Sequence, residues 1–166
     1  MATEPVTREF EKISEEQFNK DIKSISESTS YDGIRIPERS TAKSAGYDFY
    51  SPISVDIPPC SVVKVPLGIK AKLDDHDVLL MFIRSSLASK HGIQLINNVG
   101  VVDADYYNNK DNEGHIWAIL YNINARDSYH IDAGDKVCQG IIVPYETTDS
   151  DNAEGTRDGG FGSTGK

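Results

Sequence analysis

Asp103 stands at the end of the apolar run Val99-Gly100-Val101-Val102, with Asn97 six positions before it and Tyr106 three after. A carboxylate delivered by a short apolar strand is a candidate general base, able to orient a water and accept its proton within hydrogen-bond reach. A calcium loop starting at Asp103-x-Asp105 is excluded, because its sixth position is Asn108 rather than Gly and its twelfth is Gly114 rather than Glu. Arg84-Ser85-Ser86 follows the apolar run 78–83. An arginine fork with two hydroxyls at a strand end makes a phosphate cradle, although a serine pair also caps helices. Asp48 follows the small-residue turn Ser44-Ala45-Gly46 and, taken alone, reads as a turn cap. Gln139 sits among apolar residues after the turn Gly134-Asp135. If buried it needs partners, since an unpaired amide costs roughly 1–3 kcal/mol.

The last ten residues, Arg157 to Lys166, hold four glycines, one aromatic ring, two hydroxyls and two cations. Such a run buries nothing and forms no core. It suits wrapping a nucleotide: backbone N–H groups, including that of Gly162, approach phosphate oxygens, Ser163 and Thr164 add donors, and Arg157 adds charge. Phe161 has the shape to stack on a base. Gly160 to Lys166 also matches the first seven positions of G-x-x-x-x-G-K-[ST]. That phosphate loop needs a preceding strand and a following helix, so it is rejected.

These residues need a scaffold, and the chain between them reads as all-β. Short apolar runs at 53–57, 61–65, 67–71, 78–83, 99–102, 116–123 and 137–143 alternate with turn signals such as Pro58-Pro59, Asn97-Asn98 and Gly134-Asp135. That spacing predicts a sandwich or barrel. Ser14-Glu15-Glu16-Gln17, followed by Phe18 and Ile22, predicts one short helix in the polar stretch 1–32. The expected organisation is a polar N-terminal extension (1–32), a β-barrel domain (33–145) and a tether with a flexible glycine-rich arm (146–166).

A net charge of −9 argues against polymeric nucleic acid, while leaving room for a small polyphosphate held by local cations and a divalent metal. No stretch approaches the roughly twenty apolar residues of a membrane span. The start Met1-Ala2-Thr3-Glu4-Pro5 lacks a secretion signal, so a cytoplasmic location is expected. Cys60 and Cys138 read as reduced, partly buried thiols.

In their order, Ala45-Gly46-Tyr47-Asp48, Arg84-Ser85-Ser86, Gly100 to Tyr106, Gly134 to Gln139 and Gly159 to Gly165 resemble the five motifs of the trimeric dUTPase family. The resemblance runs from about Ile36 to Lys166. It implies a jelly-roll-like β barrel and a homotrimer with active sites shared between subunits. It also implies hydrolysis of dUTP to dUMP and pyrophosphate with magnesium. On that resemblance Asp103 is the general base and Tyr106 the ring beneath the deoxyribose. Asn97, Gly100, Val101, Val102 and the strand near Trp117 read uracil. Arg84, Ser85, Ser86 and Gln139 hold phosphates, and Asp48 meets the metal through water. Phe161 covers the base, and Arg157, Gly162, Ser163 and Thr164 belong to the arm that closes over the phosphates.

Two departures stand out. Arg157 lies four steps from Phe161 rather than five, and Asp158 replaces a usual glycine. The tip 107–114 is long and polar where a glycine often follows, beside the sugar and base pocket, positioned to tune access or serve a protein partner. The related dCTP deaminases would need a carboxylate on the strand 115–121, which carries none. A nucleotide-gated regulatory binder is the remaining alternative reading.

Overall fold

The computed structural model describes residues 7–25, 29–157 and 159. The N-terminal stretch opens with strand β1 (Glu9–Lys12) and helix α1 (Glu15–Ile22). The helix begins where the capping pattern requires. Ser14 Oγ accepts from the Gln17 N–H, and Glu15 and Glu16 favour the positive end of the dipole. Phe18 and Ile22, four apart on one face, are buried.

The strands that follow are β2 (Glu38–Arg39), β3 (Tyr47–Tyr50), β4 (Val55–Ile57), β5 (Val62–Pro66), β6 (Ile69–Lys72) and β7 (Asp77–Ile83). After helix α2 (Ser85–His91) come β8 (Ile93–Leu95), β9 (Gly100–Asp103), β10 (Trp117–Asn122), β11 (Tyr129–Ile131) and β12 (Lys136–Pro144). The principal sheet has the order β2-β3-β12-β7-β9, and a second runs β5-β10-β8. Two ribbons, β1-β6 and β11-β4, complete the set, and all pairings are antiparallel.

Strand periodicity places the core. Asp77, Leu79 and Met81 alternate inward on β7, as Ala118, Leu120 and Asn122 do on β10. Leu79, Met81, Ala118 and Leu120 meet Phe49, Ile57, Val65, Ile93, Ile131 and Val137 in one buried cluster.

The all-β expectation is borne out, and each of the seven apolar runs forms a strand within a few residues of its expected limits. The described strands make four separate sheets, so the jelly-roll-like arrangement is not a single closed hydrogen-bonded barrel. Five strands lie outside those runs. β3 reads as a turn because small residues precede it, β2 and β8 are only two and three residues long, and β1 and β11 alternate polar with apolar residues.

The polar N-terminal stretch packs onto the rest of the chain. β1 pairs with β6 in register Phe10↔Ala71, and Ile13 and Phe18 are fully buried in the common core. Phe10 packs edge-on against Tyr47 and Phe49, at 5.1 and 5.3 Å between ring centres. Cys138 is buried, whereas Cys60 is exposed rather than partly covered.

The 107–114 tip is fixed by its own side chains. Asn109 Nδ2 donates to the Tyr106 carbonyl and to Asn112 Oδ1, while Asn109 Oδ1 accepts from the N–H groups of Asp111 and Asn112. Gly114 closes the tip at φ +83°, where a Cβ would lie 2.6 Å from the Tyr106 carbonyl oxygen. No side chain moves to relieve a clash with backbone. Gly114→Ala is therefore expected to cost about 1–3 kcal/mol, lowering Tm by roughly 2–10 °C in a calorimetric scan. An unchanged Tm would show that the tip repacks freely.

Candidate active site

A cavity of about 240 Å³ opens between β9 and β10. Its walls include Asn97, Gly100, Val101, Val102, Asp103, Tyr106, Trp117 and Arg157, with Met81, Leu95 and Cys138 behind them. Gly100 lets β9 approach β7 closely: a Cβ there would stand 3.0 Å from Met81 Cβ, tighter than an ordinary contact. Burial pushes the Cys138 thiol pKa well up, so it is a neutral wall and not a nucleophile.

Asp103 ends β9 with its carboxylate half exposed at the cavity mouth. Arg157 lies over it. Arg157 Nη2 donates to Asp103 Oδ2 at 2.6 Å and Nε donates to Asp105 Oδ1 at 2.9 Å, with the guanidinium 5.8 Å from the Tyr106 ring centre. The shortened spacing before Phe161 thus does not keep Arg157 from the carboxylate pair of its own chain. Tyr106 is buried, donating its hydroxyl to the His115 carbonyl at 2.9 Å and accepting from Asn112 Nδ2 at 2.8 Å. Burial raises its pKa, so it presents a neutral ring.

The other predicted residues gather elsewhere. Asp48, buried on β3, accepts from Ser40 Oγ and Lys136 Nζ at 2.6 and 2.7 Å, with Arg84 Nε 3.3 Å away. Burial pushes the Asp48 pKa up, but the bonds from Lys136 and Ser40 and the Arg84 charge prevail and hold it below the usual value. Arg84, Ser86 and Lys136 border a second depression with Arg35 and His91. Ser85 and Ser86 open α2, after Arg84. Gln139 is half-buried rather than enclosed, so the expected demand for core partners falls away. Its Oε1 lies 2.8 Å from where a Cβ on Gly46 would stand, so the amide packs directly against that turn.

One chain does not bring the two groups together. Asp103 pairs with Val78 on β7, and Arg84 lies six positions further along, just beyond the end of that strand. At about 3.4 Å per residue they are roughly 20 Å apart, at opposite ends of the principal sheet. Phe161, Gly162, Ser163 and Thr164 lie outside the described residues.

Lys136, Ser40, Asn112 and His115 are not singled out by the sequence, and Asp105 only through the excluded calcium loop. Lys136 stands inside the Gly134 to Gln139 motif and Asn112 bonds within its own tip, whereas Ser40, Asp105 and His115 depend on partners distant in the chain.

The family model for dUTPase matches residues 32–165. The chain belongs to the dUTPase family. The deoxyuridine 5'-triphosphate nucleotidohydrolase of Lactococcus lactis is 44% identical over 135 residues, covering 80% of this chain and 89% of the relative. That of Wolinella succinogenes is 37% identical, covering 79% and 87%. The dUTPase crystal structure from Streptococcus mutans matches with a TM-score of 0.71 at 37% identity, over 86% of this chain and 99% of that one. A mutant of the dUTPase from phage phi11 of S. aureus shares the fold, with a TM-score of 0.67 at 21% identity over 90% and 97% of the two chains. The family model begins at residue 32, so this dUTPase carries β1 and α1 ahead of the matched region.

Asp48 and two other carboxylates sit below their ordinary pKa values. For Asp21, burial pushes up and the His115 and Gln17 bonds pull further down. For Glu113, burial is again outweighed, here by Ser14 and Lys70. A carboxyl whose folded pKa is depressed contributes stability that is complete above its unfolded pKa, near 4, and lost as pH falls through the folded value. The urea midpoint is therefore expected to hold between pH 7 and about 5 and to fall below about 4. Asp48→Asn should flatten that acid limb. An equally steep limb in the variant would remove Asp48 from the account.

Proposed function

We propose that the chain hydrolyses dUTP to dUMP and pyrophosphate, with the base and sugar in the cavity between β9 and β10 and Asp103 as general base. The observation that carries this reading is Asp103 half exposed at the mouth of a cavity walled by Tyr106 and Trp117. Arg157 engages Asp103 Oδ2, so Oδ1 is the oxygen available to orient a water. The water oxygen attacks the α-phosphorus, its proton passes to Asp103, and the bond to the α–β bridging oxygen breaks to release pyrophosphate. Tyr106 packs beneath the deoxyribose and leaves no space for a 2′-hydroxyl. Main-chain groups of Gly100 to Val102 and of Trp117, with Asn97, read the uracil edge. Phe161, Gly162, Ser163 and Thr164 close over the bound nucleotide.

The roughly 20 Å between Asp103 and Arg84 supports a homotrimer in which Arg84, Ser85, Ser86 and Gln139 of a second copy hold the triphosphate. The dUTPase of phage phi11 coordinates a structural Mg(II) ion. Here no group of three His, Cys, Asp or Glu ligands exists among the described residues, so Mg²⁺ would arrive on the substrate phosphates. Asp48 suits it: Ser40 and Lys136 both bond Oδ2, while Oδ1, paired with Arg84 at 3.3 Å, keeps room to accept a bond from a metal-bound water. Once bound, the ion neutralises phosphate charge and fixes the triphosphate conformation. We infer a cytoplasmic location from the proposed substrate, a free nucleotide; no described helix is long and apolar enough to cross a membrane.

The test is pyrophosphate release from dUTP, dCTP, dTTP and UTP with magnesium. Turnover should be confined to dUTP. Comparable turnover of dCTP or UTP would sink the assignment.

A further inference from the structure

The segment from β1 to α1 lies before the matched family region, yet it grips the back of the candidate pocket. His115, fully buried, joins them: its Nδ1 lies 2.6 Å from Asp21 Oδ2 on α1, and its Nε2 accepts from the Gly68 N–H at 2.9 Å. With Nε2 accepting, the ring proton sits on Nδ1 and is donated to Asp21. Gln17 Nε2 donates to the other Asp21 oxygen at 2.9 Å, which fixes the carboxylate on its helix.

From His115 two contacts run straight into the cavity wall. Its ring lies 4.9 Å from that of Trp117, and its carbonyl accepts the Tyr106 hydroxyl. The Phe18 ring of α1 lies 6.4 Å from the imidazole, centre to centre.

A second attachment holds the 107–114 tip. Glu113 adopts φ 59°, a left-handed conformation that costs a non-glycine residue roughly 1–2 kcal/mol. Its carboxylate accepts from the Ser14 N–H at 2.9 Å and from Ser14 Oγ, and it pairs with Lys70 at 3.7 Å. Tyr107 donates its hydroxyl to Glu11 of β1 at 2.8 Å. The Ser14 hydroxyl thus donates to the tip and accepts from the Gln17 N–H that starts α1. One side chain therefore couples the helix start to the tip.

We propose that Glu9–Ile22 is a strap that positions the base and sugar walls of the nucleotide pocket through Asp21–His115 and Ser14–Glu113. Asp21, His115 and Glu113 are positioning residues: they act through Tyr106 and Trp117. Asp103 is held independently by the β9–β7 ladder. Loosening the strap should therefore weaken binding of base and sugar in ground and transition states alike, raising KM with kcat little changed.

The proposal rests on the dUTP reading for its kinetic arm, and Trp117, the single tryptophan of the chain, supplies an arm that does not. Asp21→Ala is expected to raise KM for dUTP at least about fivefold with kcat within about twofold. It should also shift Trp117 emission and weaken quenching by a non-hydrolysable dUTP analogue. Asp21→Asn keeps an acceptor for His115 Nδ1–H and should restore both readouts. Ile57→Val, a core change away from the strap, serves as a stability control.

A KM for Asp21→Ala within twofold of the unsubstituted protein overturns the proposal. So does a KM rise matched by Ile57→Val at equal loss of Tm. Should Asp21→Ala fail to fold, Ser14→Ala decides: KM should rise at least about twofold, and an unchanged KM overturns the proposal. If the unsubstituted protein does not turn over dUTP, the functional reading fails alone. Trp117 emission in Asp21→Ala still tests the strap, and an unchanged spectrum refutes it.

Discussion

Asp103→Asn is expected to lower dUTP turnover at least about 10²-fold while binding of a non-hydrolysable dUTP analogue stays within a few-fold. The amide nearly copies the carboxylate in shape and can still accept one bond from Arg157, so the cavity and the start of the arm keep their geometry. It cannot take the proton of an attacking water. Asp105 provides the control. It also pairs with Arg157, through Nε at 2.9 Å, but it is assigned no proton. Asp105→Asn should therefore cost less than about tenfold, the effect of loosening one exposed ion pair. Measured by pyrophosphate release at saturating dUTP, equal losses in the two variants would mean that holding Arg157 matters and that Asp103 is not the base. Full activity in Asp103→Asn would place the base elsewhere.

The features legible in the sequence were local ones. Ser14 and Gln17 mark the start of α1 because the cap bond spans three residues, and its apolar face follows from Phe18 and Ile22. β7, β10 and β12 announce themselves by length and apolar content, and Gly134 marks the turn into β12 by its positive φ. The parts that stayed hidden are those whose partners are distant in the chain. The alternation Glu9-Phe10-Glu11-Lys12 becomes a strand only because β6 offers an edge. Asp21 and His115, separated by 94 positions, carry no sequence signal of their contact. The candidate site divides likewise. Asp103, Tyr106 and Gly100 to Val102 are neighbours along the chain, so one stretch of sequence carries them all, and the fold keeps them on one cavity. Arg84 and Gln139 appear in the same ordered set of motifs, yet the antiparallel register of β7, β9 and β12 carries Arg84 to the far end of the sheet.

That separation makes complementation the sharpest test of assembly. Asp103→Asn and Arg84→Gln should each be nearly inactive alone, the first for lack of a base, the second for lack of a phosphate fork that glutamine's single amide cannot replace. Unfolded together in equal amounts and refolded, they should regain activity if each site takes Asp103 from one protomer and Arg84 from the next. In a cyclic trimer, every mixed assembly then contains one site with both residues intact. Three quarters of randomly formed trimers are mixed, so recovery should approach about one quarter of the unsubstituted specific activity. Native mass spectrometry establishes that hybrids have formed. The start of the arm sharpens the alternative, because Arg157 contacts Asp103 of its own chain. If all the phosphate ligands also came from that chain, every site in a hybrid would carry one defect and nothing would be recovered. Verified hybrids without activity would thus require Arg84 to act within its own subunit, against the distance set by the β7 register, or not to touch the substrate at all.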